Sequence, residues 1–476
     1  MAQELAAGGR RLQHGARRSA GLARQGMGDR RFAMVMLWGL VLDTGGSSPV
    51  EPRPEPLPDL PPVPGAGLEK PGGYMPTIRL NPGRPVRPGS QVRVRIFPHE
   101  RHYAPHFRDK IKDRVTIRSK KPCNLYRGQT RRAAGTVEKL DRDTSFSWRA
   151  ADLDHPLWLN CPAPATLVRK GGPSWSYAGK FYIRRSGRSL EVINVVGLST
   201  YLKGVVPSEA YAGWPFEALK TQAVAARTYA AFHLSASRLR GERFMDVDDT
   251  IAWQVYTGLS RVNPRTNRAI RETRGEILTW GDSVIRAYYH ADSGGHTEFS
   301  GNVWNVEAPY LVARMEKYEN GLVDNPEWRM HARVGRLARW LRARRLIPAS
   351  SRVENIVVQD SDRTLSGRVR HVTVLLRDGG TRSVPVDQFK RFFRRRSLPS
   401  TLFSLENNIK GVLTVKGRGR GHGVGLNQKG ASVLAGVKGW DYRQILGFYY
   451  NGTGLCTLAR KKAGATDPCY SRSGSG

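Results

Sequence analysis

The stretch VVPSEAYAGWP (205–215) sets one carboxylate, Glu209, among Val205, Val206, Pro207, Tyr211, Trp214 and Pro215. A carboxylic acid can give up a proton near neutral pH only if its anion is penalised, and apolar neighbours impose that penalty. Glu209 is therefore the first candidate for a general acid. The same residues also have a plainer reading, in which a carboxylate at a helix approach accepts backbone amides.

Two further clusters carry side chains of chemical interest. GRGRGHGVGLNQKGA (417–431) holds a single imidazole, His422, between glycines. It is not a phosphate-binding P-loop, because Lys429 is followed by Gly430 where Ser or Thr is needed, and no register gives G-x-G-x-x-G. One short GRGRG copy is weak as an RNA-binding segment. Its glycines allow close backbone approach or positive φ, which suits a loop that turns His422 toward a cleft. AYYHADSGGHTE (287–298) contains His290, Asp292 and His296, with Ser293-Gly294-Gly295 as its turn. Their spacing matches no H-E-x-x-H zinc motif, and no G-x-S-x-G elbow is present for a serine hydrolase.

These clusters need elements to hold them. From about 74 to 190 the chain reads as short alternating strands such as QVRVRIF (91–97), DRVTIRS (113–119) and GKFYIRR (179–185), and SLEVINVVGL (189–198) continues the pattern. STYLKGVV (199–206) is expected to form a short helix with Ser199 as N-cap. WPFEALKTQAVAARTYAAFHL (214–234) is the clearest helix, with Pro215 in its first turn and Glu217 at its positive end. Its apolar stripe (Phe216, Leu219, Ala223, Ala226, Ala230) is mostly alanine, so another backbone can come close. Residues 325–400 are very basic, with strands such as RHVTVLL between. They read either as the solvated face of an inserted subdomain or as a track for an anionic polymer. The expected fold is α+β: a β-rich N-terminal part, then a mixed α/β core with a basic insertion at about 320–405.

The chain has 476 residues, enough for two or three domains, and a formal charge of +37. That charge implies a polyanionic partner: nucleic acid, an anionic membrane or an acidic extracellular polymer. A basic leader followed by the apolar run Phe32–Leu42 reads as a secretory signal or short anchor, too short to span a bilayer. Residues 49–66 hold proline at almost every second or third position, an extended spacer. Export, the spacer and the lack of RNA- or DNA-binding motifs argue against nucleic acid. The four cysteines form no C-x-x-C; they allow pairing of 123 with 161 and 456 with 469, or free thiols.

YLKGVVPSEAYAGWPFEALKTQAVAARTYA (201–230), AYYHADSGGHTE (287–298) and GHGVGLNQKGA (421–431) together resemble the SpoIID/LytB family of bacterial cell-wall proteins, over roughly residues 180–455. The family includes lytic transglycosylases that cut peptidoglycan glycan strands lacking stem peptides, and proteins named as enhancers of cell-wall amidases. The resemblance implies that Glu209 is the catalytic acid. Tyr201, Arg227, Ser293, Gly294, Gly295, His422 and Gln428 are expected to shape the site or bind sugar. It implies a lytic transglycosylase or, alternatively, a non-catalytic glycan-binding enhancer of an amidase. A lone acid suits the transglycosylase, which needs no second carboxylate; a hydrolase would recruit one, with Asp292 and Glu298 as candidates. The family commonly places Met-Pro after the glutamate, where this chain has Ala210-Tyr211. Some members bind zinc, but Asp248, Ala252 and Trp253 occupy the ligand positions here, so no metal or other cofactor is expected. The implied organisation is a leader (1–48), a Pro-rich linker (49–73), a β-rich domain (74–180), a family domain (181–455) and a tail (456–476), in an exported protein.

Overall fold

In the computed structural model, the alternating segments pair into sheets. It describes residues 77–458, apart from 80–85, 88, 97–110, 113, 129–136, 141–143, 169–173, 242–243, 305, 317–326, 394–396 and 409–410. The leader, the Pro-rich spacer and Cys469 lie outside the described residues.

Every second residue of Gln91–Ile96 (Val92, Val94, Ile96) points inward, as a half-buried strand requires. This strand joins a sheet ordered Val247–Asp248, Gln91–Ile96, Ser189–Gly197, Lys180–Ser186, Leu157–Asn160, Cys123–Arg127 and Val137–Leu140. Ile111–Lys112 pairs on Ser189–Gly197 as an eighth strand. A second sheet orders Trp175–Tyr177, Ala165–Val168, Arg114–Ser119 and Thr144–Arg149. A Cys123–Cys161 disulfide ties two neighbouring strands of the first sheet at their ends, and Cys456 is also disulfide-bonded. The N-terminal part is thus β-rich within a mixed α+β fold. The expected junction near residue 180 falls inside one hydrogen-bonded sheet, because Lys180–Ser186 pairs with both Leu157–Asn160 and Ser189–Gly197.

The sheet hands directly to helix α1, Leu198–Glu209, then to α2, Phe216–Leu239. The expected cap at Ser199 is corrected: Gly197 is the N-cap, without a side-chain bond, and Ser199 lies in the first turn. The helix also runs past Pro207 to Glu209, beyond the expected end. A proline disfavours helix in the residue before it, but here it falls in the last turn. α2 follows from Pro215 as expected, yet it is buried on nearly all sides, from Ala218 through Ser237 apart from Lys220. Its alanines make that possible: small side chains let neighbours approach from every direction. α3 (Pro264–Glu272) packs beside α2, capped by Asn263 through the Arg265 amide.

Val224 and Ala225 of α2 join Leu278, Ile285 and Leu426 in the main core. So do residues of α7 (Gln428–Gly436) and α8 (Tyr442–Tyr449). Between α3 and α7 comes a short α4 (Ser300–Trp304), then a segment with its own core. That segment contains Trp328–Arg333 paired with Val412–Gly417, the sheet Val353–Val357, His371–Leu376 and Thr381–Pro385, and helices α5 (Val334–Ala343) and α6 (Val386–Phe392). Leu337, Leu341, Ile356, Val374, Phe389 and Leu413 fill its interior. Most basic residues of α5 and of the turn after it stay outside: Arg336, Arg339, Arg344 and Arg345 are exposed, while Arg342 is half-buried.

Candidate active site

Glu209 is the last residue of α1 and is half-buried. Its Oε1 accepts the Val255 amide at 2.6 Å, and Tyr289 and Gln428 also bond its carboxylate. Burial pushes the carboxyl up from its ordinary value to about 7, against the lowering effect of Val255, Tyr289 and Gln428. The negative end of α1 adds in the same direction. Near neutral pH, Glu209 therefore exists in both forms, as a group that both gives and takes a proton must.

Its surroundings form a hydrogen-bonded web drawn from distant parts of the chain. Tyr201, on α1, donates to Gln254 Oε1 at 3.1 Å. Gln254 Nε2 donates to the Ala226 carbonyl and to the Tyr289 hydroxyl, at 3.2 and 3.1 Å. Gln428 Nε2, at the first turn of α7, donates to Gln222 Oε1 of α2 at 3.1 Å. Burial raises Tyr201 and Tyr289 well above the usual tyrosine value, so both remain hydroxyl donors.

The glycine-rich loop and the 287–298 cluster form the wall behind Tyr289. Tyr289–His290 pairs in parallel with Leu426–Asn427. Strand alternation sends Tyr289 toward Glu209 and Tyr288 and His290 to the opposite face. His422 packs on that opposite face, with ring centroids 5.0 Å from Trp304, 5.5 Å from His290 and 5.8 Å from Tyr288. Its Nδ1 accepts the Val424 amide at 3.0 Å, and burial lowers its pKa to about 3, so it is neutral at any ordinary pH. Two glycines make the wall possible. A Cβ at Gly425 (φ 71°) would meet the Tyr288 carbonyl at 2.3 Å, and one at Gly423 (φ 85°) would strike the Arg368 guanidinium.

The remaining expected residues fall elsewhere. Gly294 packs its backbone on Gly419, next to Gly295, while Ser293 is fully buried, donating to Glu316 and accepting the Gly295 amide and Asn427 Nδ2. Arg227 spends its guanidinium on the carbonyls of Ile270 and Glu276 and on Thr273, pinning α3 to α2. Of the expected set, Glu209, Gln428 and, through Gln254, Tyr201 come together. Ser293, Gly294, Gly295 and His422 form a second layer. Both candidate second carboxylates are already engaged: Asp292 accepts the Gly294 amide and faces Lys429 at 3.6 Å. Glu298 accepts from Phe299, Asn302, Thr364 and Ser366.

The missed residues are Gln222, Gln254, Val255 and Tyr289. Gln254 and Val255 follow directly on the segment that carries zinc ligands in some family members, and Tyr289 lies within the 287–298 cluster. The 248–256 loop now serves the acid: Asp248 is bonded by Thr250 and faces Arg95 at 3.6 Å, and Trp253 packs on His233. Among the described residues no three His, Cys, Asp or Glu side chains are grouped so as to hold a metal ion.

Fold and site define a protein that sets a half-buried acid between a helix end and a glycine-rich wall. Residues 186–280 match the sequence model described as stage II sporulation protein, SpoIID, and residues 310–425 match a domain of unknown function. An uncharacterized protein of Brachyspira hyodysenteriae is 32% identical over 60% of this chain and 73% of its own length. The amidase enhancer of Bacillus subtilis is 31% identical over 53% of this chain but only 40% of its own length. Stage II sporulation protein D of Bacillus subtilis is 27% identical, over 57% and 76%. The chain belongs to the SpoIID family.

Proposed function

We propose that this protein is a lytic transglycosylase acting on peptidoglycan glycan strands that lack stem peptides, with Glu209 as its only acid and base. The observation that carries this reading is a half-buried carboxyl raised to about 7 and steadied by three donors. Protonated Glu209 gives its proton to the glycosidic oxygen as the bond to C1 breaks and positive charge develops on the sugar. The resulting carboxylate then takes the proton of the sugar's own 6-hydroxyl, whose oxygen closes on C1. Glu209 ends protonated, no water is consumed, and the product carries a 1,6-anhydro ring. Val255, Tyr289 and Gln428 hold the carboxylate in place between the two transfers.

The expected setting is outside the cytoplasm, with the leader as signal or anchor. No helix among the described residues is long and apolar enough to cross a membrane. Exposed Arg336, Arg339, Arg344 and Arg345 on the insertion supply a cationic surface, complementary to the lactyl carboxylates of bare muramic acid. The relative named amidase enhancer supports a second reading, in which the protein binds glycan and stimulates a cell-wall amidase without cutting. Mass analysis after incubation with peptide-free glycan separates the two. Anhydro-muramic ends support the transglycosylase, reducing ends mean hydrolysis, and uncut strands with a stimulated amidase support the enhancer.

A further inference from the structure

The residue two positions after the acid has no role in the web around Glu209, and its geometry is unusual. Tyr211 is 45% exposed; among the described residues the only other aromatic side chain so exposed is Trp280, at the end of a hairpin strand. Ala210 between Glu209 and Tyr211 is extended (φ −123°, ψ 141°) and fully buried. Side chains flanking an extended residue point away from it, so Glu209 and Tyr211 share the face opposite the Ala210 methyl.

The loop that presents Tyr211 is fixed. Arg265 donates to the carbonyls of Ala212 and Trp214, both at 2.9 Å, and the Trp214 amide donates to the Tyr211 carbonyl at 3.0 Å. Ala210 packs with Leu219 and Ala269, and Trp214 and Phe216 lie against them. The Tyr211 ring lies on Gly213, where a Cβ would come within 2.4 Å of its Cε1. An aromatic ring held at an exposed position on a clamped loop loses little freedom on contact with a ligand. Beside a carboxyl, such a surface suits a ligand with one apolar C–H face and a polar rim, which is the shape of a pyranose.

We propose that Tyr211 is the stacking platform for a pyranose ring of the glycan seated next to Glu209. This rests on the glycan reading above but not on whether Glu209 cuts. The test measures binding of peptide-free glycan strands to the full chain carrying Glu209→Gln, which removes turnover. Tyr211→Ala in that background should weaken binding about tenfold, the scale of one lost aromatic contact with its buried area. Tyr211→Phe should keep most of the affinity. Gly213→Ala, which displaces the ring without changing it, should reproduce part of the loss, and thermal midpoints should not move. In the Glu209 parent, Tyr211→Ala should raise KM more than it lowers kcat. Wild-type strands left uncut, with Tyr211→Ala still binding weakly, would uphold the platform while the transglycosylase reading falls. Glu209-dependent cutting with unchanged binding and KM in Tyr211→Ala would overturn the platform alone.

Discussion

Glu209 and the two carboxylates Glu298 and Glu316 are held inside the fold in different ways. Glu298 and Glu316 are each 1% exposed and saturated with donors. Glu298 accepts two hydroxyls, one amide and one carboxamide, while Glu316 accepts Ser293, Asn427 and Tyr449. The Arg368 charge lies near both and donates to the Ser293 carbonyl at 2.6 Å. Glu209 also has three donors, but it is only half-buried. Burial alone therefore does not mark an acid for proton transfer. The donors around Glu298 make it a cross-link between the insertion and the core, whereas Glu209 is only half-buried and its carboxyl is raised to about 7.

Removing each carboxylate in turn should break the comparison if it is wrong. Glu209→Gln keeps the shape but cannot carry a proton, so turnover on peptide-free glycan should fall by about 10²–10⁴-fold, with no loss of thermal stability. Glu298→Ala strands two hydroxyls, an amide and a carboxamide, and should cost on the order of 3 kcal/mol. Calorimetry should record a midpoint several degrees lower, and an unchanged midpoint would mean that the link is ornamental.

The pH dependence should sharpen the contrast. A carboxyl raised in the folded state adds stability that is complete below about 4.5 and lost as pH rises through about 7. Denaturant titrations should therefore find Glu209→Gln equal to wild type at pH 4 and more stable at pH 8, by about 3 kcal/mol. Cleavage should fall over the same window, as the proton donor is lost. The smallest effect belongs to the insertion surface: Arg336→Glu with Arg339→Glu should weaken glycan binding a few-fold at low salt. That difference should fade near 1 M salt, where the Debye length is about 3 Å; a salt-independent difference would point to contacts other than charge.

How far the sequence could be read depended on range. Local patterns succeeded: the alternation in Gln91–Ile96, the strand reading of Ser189–Gly197 (which is buried on both faces), and the alanine stripe with Pro215 that begins α2. Glu209 itself was visible because its neighbours are apolar in sequence as well as in space. What failed was non-local. Val255 and Tyr289 reach Glu209 from 46 and 80 positions away (255 − 209 and 289 − 209), and no spacing rule connects them. His422 looked poised for a cleft because glycines flank it. The flanking glycines instead make room for neighbours, Gly421 for His290 and Gly423 for the Arg368 guanidinium, and His422 packs against Trp304, His290 and Tyr288. The family resemblance supplied Arg227 as a site residue, while the three acceptors around its guanidinium occupy it in packing.

Proton transfer by Glu209 depends on the ionisation of its side chain. Carboxyl-carbon NMR of the glutamate-labelled protein, with Glu209→Gln to assign the signal, measures it directly. The predicted result is a Glu209 resonance titrating with a midpoint near 7. A midpoint near the ordinary 4.5 would mean that the acid is an anion at neutral pH, and the proposed proton transfer would lose its donor.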